Sequence, residues 1–143
     1  MRTSQFAIDQ IKIFEGYKSK SYLDPTDKPT IGYGHTLNVK MGMTCTPEVG
    51  EEWLRLDIIP CECAIERLIH NILTQGEFDA CVDFSFNLGI GKFTGSTLLT
   101  LIKKGDMHEA SLEFPKWDLV GGKVSDWQVK RRAWEQQRFL GKL

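Results

Sequence analysis

The chain has 143 residues, with 18 basic and 19 acidic side chains and a formal net charge of -1. That length holds one domain, or two small lobes sharing a core; by burying roughly 68–70% of its unfolded surface it needs no disulfide or metal to fold. The 41% apolar and 26% charged fractions disfavour disorder, collagen and coiled coil, and the lack of a basic excess argues against a dedicated nucleic-acid binder. The charge is uneven all the same. Residues 1–44 carry 6 basic and 4 acidic side chains, residues 45–113 carry 5 and 12, and residues 116–143 carry 7 and 3. An acidic middle therefore lies between two basic ends, which suits an anionic polymer if the ends share a face.

No apolar h-region follows Met1-Arg2-Thr3-Ser4-Gln5, and no apolar run reaches 18 residues. The expectation is a product made in the cytoplasm without a signal peptide or membrane insertion. Thr3 or Ser4 can cap a helix to about Phe14, with Ala7, Ile11 and Phe14 on one stripe, Phe6 and Ile13 widening it, and Gly16 as its stop. Asp24-Pro25-Thr26-Asp27-Lys28-Pro29 is a strong turn signal. Flanked by Tyr17–Leu23 and by Thr30-Ile31-Gly32-Tyr33-Gly34-His35-Thr36, it predicts a small antiparallel hairpin or three-stranded sheet that must lean on helices.

Everything after residue 44 reads as helix. Thr46-Pro47-Glu48 opens one with a cap, a proline at its first position and an early acid. Pro60 is expected to split it near 57–60. Residues 61–72 continue with Ile65, Leu68, Ile69 and Ile72 on one stripe. Gln75-Gly76-Glu77 breaks the pattern, and residues 77–88 form a very apolar helix suited to the centre of a helical lobe. Helices follow at about 95–103, 106–114 and 126–140, with Gly121-Gly122 in a loop. The fold class is α+β: one domain, 1–143, with a small β-rich lobe at about 15–45 and a larger helical lobe from 1–14 and 46–143. The cysteines at 45, 61, 63 and 81 lack zinc spacing and read as small buried hydrophobes. No metal site is expected.

Glu15, Asp24 and Thr30 form the candidate catalytic set. Glu15 ends its helix after Ile13-Phe14. Apolar surroundings and the negative helix terminus both favour its protonated form, as a general acid requires. A turn aspartate stays ionised, and Thr30, opening the return strand, can share one water with Asp24. An acid on one side and a water-holding carboxylate on the other is what glycoside hydrolysis needs.

These residues carry a resemblance. Phe14-Glu15-Gly16, Tyr22-Leu23-Asp24 and Thr30 to Thr36 resemble the phage-type lysozymes, glycoside hydrolase family 24. Phe84-Ser85-Phe86-Asn87-Leu88-Gly89, the stretch from Phe93 to Leu99, Trp117, Gly121-Gly122-Lys123 and Arg131-Arg132 continue the likeness over about residues 5–140. The resemblance implies two lobes flanking a cleft, joined by a long helix near 61–72. It implies hydrolysis of the β-1,4 bond between N-acetylmuramic acid and N-acetylglucosamine. Glu15 would protonate the leaving oxygen while Asp24 and Thr30 hold water on the opposite face. The outcome would be inversion, with carboxyls roughly 6.5–9.5 Å apart.

Tyr22, Gly34, His35, Phe86, Asn87, Arg131 and Arg132 are the candidate substrate-binding residues. His35 also reads as a structural histidine, and either arginine could reach Glu15. Asn87, polar in an apolar helix, must find hydrogen-bond partners. No cofactor is implied. The expected partner is the peptidoglycan glycan strand, met by a monomer that acts in the periplasm after a holin-like pore releases it from the host cytoplasm. A lytic transglycosylase and an inactive peptidoglycan-binding module are the alternatives. The basic ends, with Lys18, Lys20 and Arg132, are expected to rim the cleft.

Overall fold

The structure, a computed structural model, describes all of residues 1–143. The chain divides into two compact units, residues 5–59 and residues 60–143 joined by 1–4. The α+β class holds, with helix dominant and two small antiparallel sheets. The first helix and the start of the second group with the strands, where the sequence reading placed them in the helical lobe.

In residues 5–59, α1 spans Gln5–Glu15. Its buried residues are Ala7, Ile8 and Ile11. Phe6 and Ile13, expected to widen that stripe, are exposed. Gly16 ends the helix at φ +73°, a left-handed stop that glycine adopts at no steric cost. Strands β1 (Lys18–Leu23) and β2 (Pro29–Gly32) pair antiparallel, with Tyr22 opposite Thr30 and Leu23 opposite Pro29. A third strand is reduced to a single bridge between Lys20 and Thr44. Helix α2 spans Pro47–Leu68 without a break.

Pro60 therefore does not divide α2, contrary to expectation. Proline costs the carbonyl at Leu56 its helical partner, but Leu56 and Pro60 are both exposed, where solvent can serve that carbonyl. The proline instead marks the change of compact unit, which falls between Ile59 and Pro60. The long joining helix is thus 47–68 rather than 61–72. Residues 69–74 are not helical, and Ile72 is fully exposed instead of completing an apolar stripe.

The second unit is built around α3 (Gln75–Leu88), which starts two residues earlier than expected because Thr74 and Glu77 form a capping box. Every residue from Phe78 to Ser85 is buried, so α3 is enclosed on all sides. Short helices α4 (Ile90–Thr94), α5 (Thr97–Lys104) and α6 (Met107–Ser111) follow, then a 3-10 turn at Phe114–Lys116. Next comes a hairpin missed in the sequence, β3 (Leu119–Val120) and β4 (Lys123–Val124), before α7 (Asp126–Phe139). Gly121 and Gly122 form its two-residue turn, both at positive φ. Phe84 gathers the rings of Phe93, Phe114 and Trp117 edge-on at 5.4–6.1 Å.

Residues 1–4 are tied down by acids of this same unit. Thr3 donates through its amide and hydroxyl to Glu62 Oε2, at 2.6 and 2.9 Å. Ser4 donates likewise to the two oxygens of Asp79, at 3.0 and 2.5 Å. Asp79 also accepts from Gln75 and from Arg138 Nε and Nη2. Cys61 and Cys81 are buried as expected, but Cys63 is exposed and Cys45 half-buried; all four are free. Burial pushes the Cys61 thiol up to about 11.

Gly76 shows how closely α3 and α7 approach. A Cβ there would stand 2.4 Å from the Arg138 carbonyl oxygen. Gly76→Ala is expected to cost about 1–3 kcal/mol by overpacking. Urea unfolding would measure it, and an unchanged midpoint would show that the end of α7 yields freely.

Candidate active site

Glu15 is half-buried at the last position of α1. Its Oε2 lies 3.5 Å from where a Cβ on Gly34 would stand, so the carboxyl covers one side of that glycine. Gly34 itself has φ +83°. The turn carrying it is tight: Ile31 and His35 exchange two backbone hydrogen bonds of 2.9 Å across Gly32-Tyr33-Gly34. Gly32 also sits at positive φ, and a Cβ there would come 3.3 Å from Gly50 Cα on α2. Positive φ favours glycine at both positions, and at Gly32 the close approach of α2 adds to it.

Asp24 caps the hairpin turn. Its Oδ1 accepts from the Lys28 amide, the Thr26 hydroxyl and the Thr26 amide at 2.8–2.9 Å. Its own amide donates to the Lys28 carbonyl at 3.0 Å. These donors, Lys28 foremost and Thr26 next, hold the Asp24 carboxyl below the usual carboxylate range. Asp24 is thus kept as the anion, with Oδ1 saturated and Oδ2 taking no donor from the protein. Thr30 is buried two residues beyond Lys28, and its hydroxyl donates to the Lys28 carbonyl at 2.9 Å. That bond consumes the hydroxyl proton, so Thr30 Oγ1 is left to act as an acceptor. Tyr22 is exposed and faces Thr30 across the sheet register.

His35 is buried and turned towards α2. Its ring stacks on Trp53 at 4.8 Å, and its Nδ1 lies 2.9 and 3.0 Å from the two Asp57 oxygens. The structural reading of His35 matches this geometry. Sequence reasoning missed both partners, although Trp53 and Asp57 stand at i and i+4 on α2, the spacing that places two side chains on one helix face.

The other candidates belong to the second unit. Phe86 and Asn87 are half-buried near the end of α3. Asn87 has the partner its setting demanded, accepting from Arg132 Nη2 at 2.8 Å. Arg131 is 2% exposed and forks onto Asp83 through Nε and Nη2, at 3.0 and 2.7 Å. Arg132 is wholly buried, 2.7 Å from Glu135 and 5.3 Å over the Phe84 ring. Arg132 therefore has no surface with which to touch a glycan or join a basic rim, a correction to the sequence reading. Lys18 and Lys20 are exposed, as that reading requires.

The buried cluster separates its two acids. Burial raises Asp83, but the Arg131 charge and hydrogen bonds outweigh it and leave Asp83 below the usual range. Burial, then the Asp83 charge, pushes Glu135 well above that range despite Arg132. Glu135 Oε2 has no hydrogen-bond partner within the protein.

The chain is similar to known proteins along almost its whole length. The phage lysozyme family profile matches residues 12–135. The endolysin of Bacillus phage B103 is 41% identical over 98% of this chain, and the chain spans only 54% of that longer protein. The endolysin of Salmonella phage P22 is 36% identical over 98% of this chain and 99% of its own. Among solved structures, the muramidase domain of SpmX from Asticaccaulis excentricus superposes with a TM-score of 0.91 at 35% identity, covering 97% of each chain. The chain belongs to the phage lysozyme family. The Bacillus phage relatives it matches are about twice its length.

Two tests follow from these charges. Thr26→Val removes one donor to Asp24, and should raise the Asp24 titration towards the ordinary carboxylate value, read by NMR at its carboxyl carbon. The stability this carboxylate contributes is present above its unfolded value of 3.8 and lost as pH falls through the lower folded value. A titration that stays put or moves down would remove the hydrogen-bond explanation. Glu135 has the opposite sign: its raised folded pKa makes it favourable below the unfolded value of 4.5 and costly as pH rises above it. Glu135→Gln should flatten the fall in stability as pH rises above 4.5, measured by urea unfolding. Equal slopes in the two proteins would contradict a neutral Glu135.

Proposed function

We propose that this chain is a muramidase that hydrolyses the β-1,4 bond from N-acetylmuramic acid to N-acetylglucosamine, with Glu15 as general acid and Asp24 and Thr30 positioning the water. The observation that carries the reading is the state of the hairpin acceptors. Asp24 is an anion with Oδ2 unused, and the Thr30 hydroxyl donates its hydrogen bond to the Lys28 carbonyl, which leaves Oγ1 as an acceptor. A water donating one hydrogen to each would keep its lone pair free for the anomeric carbon. Asp24 then takes the proton as the bond forms, and Glu15 delivers one to the departing oxygen. The Glu15 carboxyl lies beside Gly34, and the His35–Asp57 and His35–Trp53 contacts hold that turn in place. Tyr22 and Gly34 are the substrate contacts this reading favours in the hairpin unit, and Phe86 and Asn87 those in the helical unit. Arg131, through its fork on Asp83, acts as a support for α3 and α7.

Relatives described as endolysins support a role in opening the cell wall during phage lysis. No helix is long and apolar enough to cross a membrane. Endolysin relatives support synthesis in the host cytoplasm and passage to the wall through a separate holin-like pore as the proposed route. Other relatives are described as SAR-endolysins, so lysis in the absence of a pore protein is the observation that would redirect this part.

Glu15→Gln should lower turnover on purified peptidoglycan by about 10²–10⁴ while leaving circular dichroism unchanged; full activity would end the assignment. Inversion predicts that fresh products appear first as the α anomer in the proton NMR spectrum. A 1,6-anhydro product would mean a transglycosylase. Binding to sacculi without new reducing ends would mean an inactive binding module.

A further inference from the structure

The acidic middle of the sequence, residues 45–113, hides a local excess of positive groups. Arg67 lies in the last turn of α2, His70 and Asn71 just follow it, and Lys103 lies in the last turn of α5. With Leu68 they line a cavity of about 350 Å3, wholly within the second unit. Arg67, His70 and Lys103 are exposed, and none of them makes an ion pair or a side-chain hydrogen bond within the protein.

Cations in the last turn of a helix ordinarily offset its negative end. That need is largely met here by other groups. Gly105 donates its amide to the Ile102 and Leu101 carbonyls, Asp106 donates to Leu101 at 3.0 Å, and the Asn71 side-chain amide donates to Ile102 at 2.8 Å. The Leu101 and Ile102 carbonyls near the end of α5 are therefore satisfied without Lys103. Asn71 also fixes the backbone after α2 against α5, which keeps the walls of the cavity together.

We propose that this cavity binds a phosphate group borne on a polyol or sugar, as found in anionic polymers of the cell wall. A guanidinium fork, an ammonium and an imidazole reach it from three separate chain positions. A tetrahedral phosphodiester presents two charged oxygens and two weaker ester acceptors that do not share one plane, which suits donors arriving from several sides better than the two coplanar oxygens of a carboxylate. The volume corresponds to about a dozen waters of liquid, which leaves room for the unit that bears the phosphate. Such a site would tether the protein to its wall through residues separate from Glu15, Asp24 and Thr30.

Glycerol 3-phosphate titrated into the 15N-labelled protein should shift His70, Asn71 and Lys103 resonances saturably. The double variant Arg67→Gln/Lys103→Gln should raise the Kd at least tenfold, and the charge-matched control Lys123→Gln/Lys130→Gln should leave it within twofold. Equal loss in the control would reduce the effect to overall charge and overturn the site, as would the absence of a saturable shift. Inorganic phosphate binding as tightly as glycerol phosphate, or binding confined to phosphatidylglycerol vesicles, would overturn the wall polymer as its source. Turnover of phosphate-stripped peptidoglycan should be unchanged in the Arg67/Lys103 variant, so this proposal and the muramidase reading can fail separately.

Discussion

Two carboxylates buried one turn apart on α3 govern the helical unit. Asp79 and Asp83 are both fully inaccessible, and a charge in that position is tolerated only when it is paired and fully hydrogen-bonded. Helix α7 supplies both partners, Arg138 for Asp79 and Arg131 for Asp83. The order of the two pairs makes α7 antiparallel to α3 and sets its register. Gly76 then permits the contact, because α7 ends directly over it. The apolar cluster around Phe84 could tolerate small slips; the ion pairs could not, since a slip would strand a buried charge at a cost of several kcal/mol.

The same constraint explains Asn87, Arg132 and Glu135. With α7 placed by its flanking arginines, Arg132 is forced inward between the Phe84 ring, Asn87 and Glu135. Arg131 holds Asp83 below the usual carboxylate range, while burial and the neighbouring Asp83 charge push Glu135 well above it. A sequence Lys130-Arg131-Arg132 looks like a solvated basic face. In the folded chain two of its three members are structural cations.

The hairpin unit is governed by short-range chemistry. Asp24 closes the turn with its own backbone and accepts three donors from the next four residues. Thr30 is oriented by a carbonyl only two residues away. The groups that fix Asp24 as an anion and orient the Thr30 hydroxyl are therefore the ones that form the turn. Function here adds little strain, because the turn would want most of these bonds in any case.

That difference in range separates what could be read from the sequence from what could not. Turn residues, glycine stops and amphipathic spacing act over a few positions, so the chain alone indicated the hairpin, the end of α1 at Glu15 and the apolar α3, and it is the source of the proposed Glu15–Asp24–Thr30 set. It did not reveal the continuity of α2 through Pro60, because that depends on which side of the helix faces solvent. Nor did it reveal Trp53 and Asp57 as the partners of His35, the small β3–β4 hairpin, or the burial of Arg132. The partners of His35 and the burial of Arg132 rest on residues brought together from distant positions, whose pairing no local pattern encodes; the hairpin is local, and Gly121-Gly122 was its signal, but strands of two residues each carry too little pattern to show. The sequence determined which groups could do chemistry. The tertiary structure decided which charges are buried as support and which remain available, because the cost of an unpaired buried charge is settled only when the helices pack.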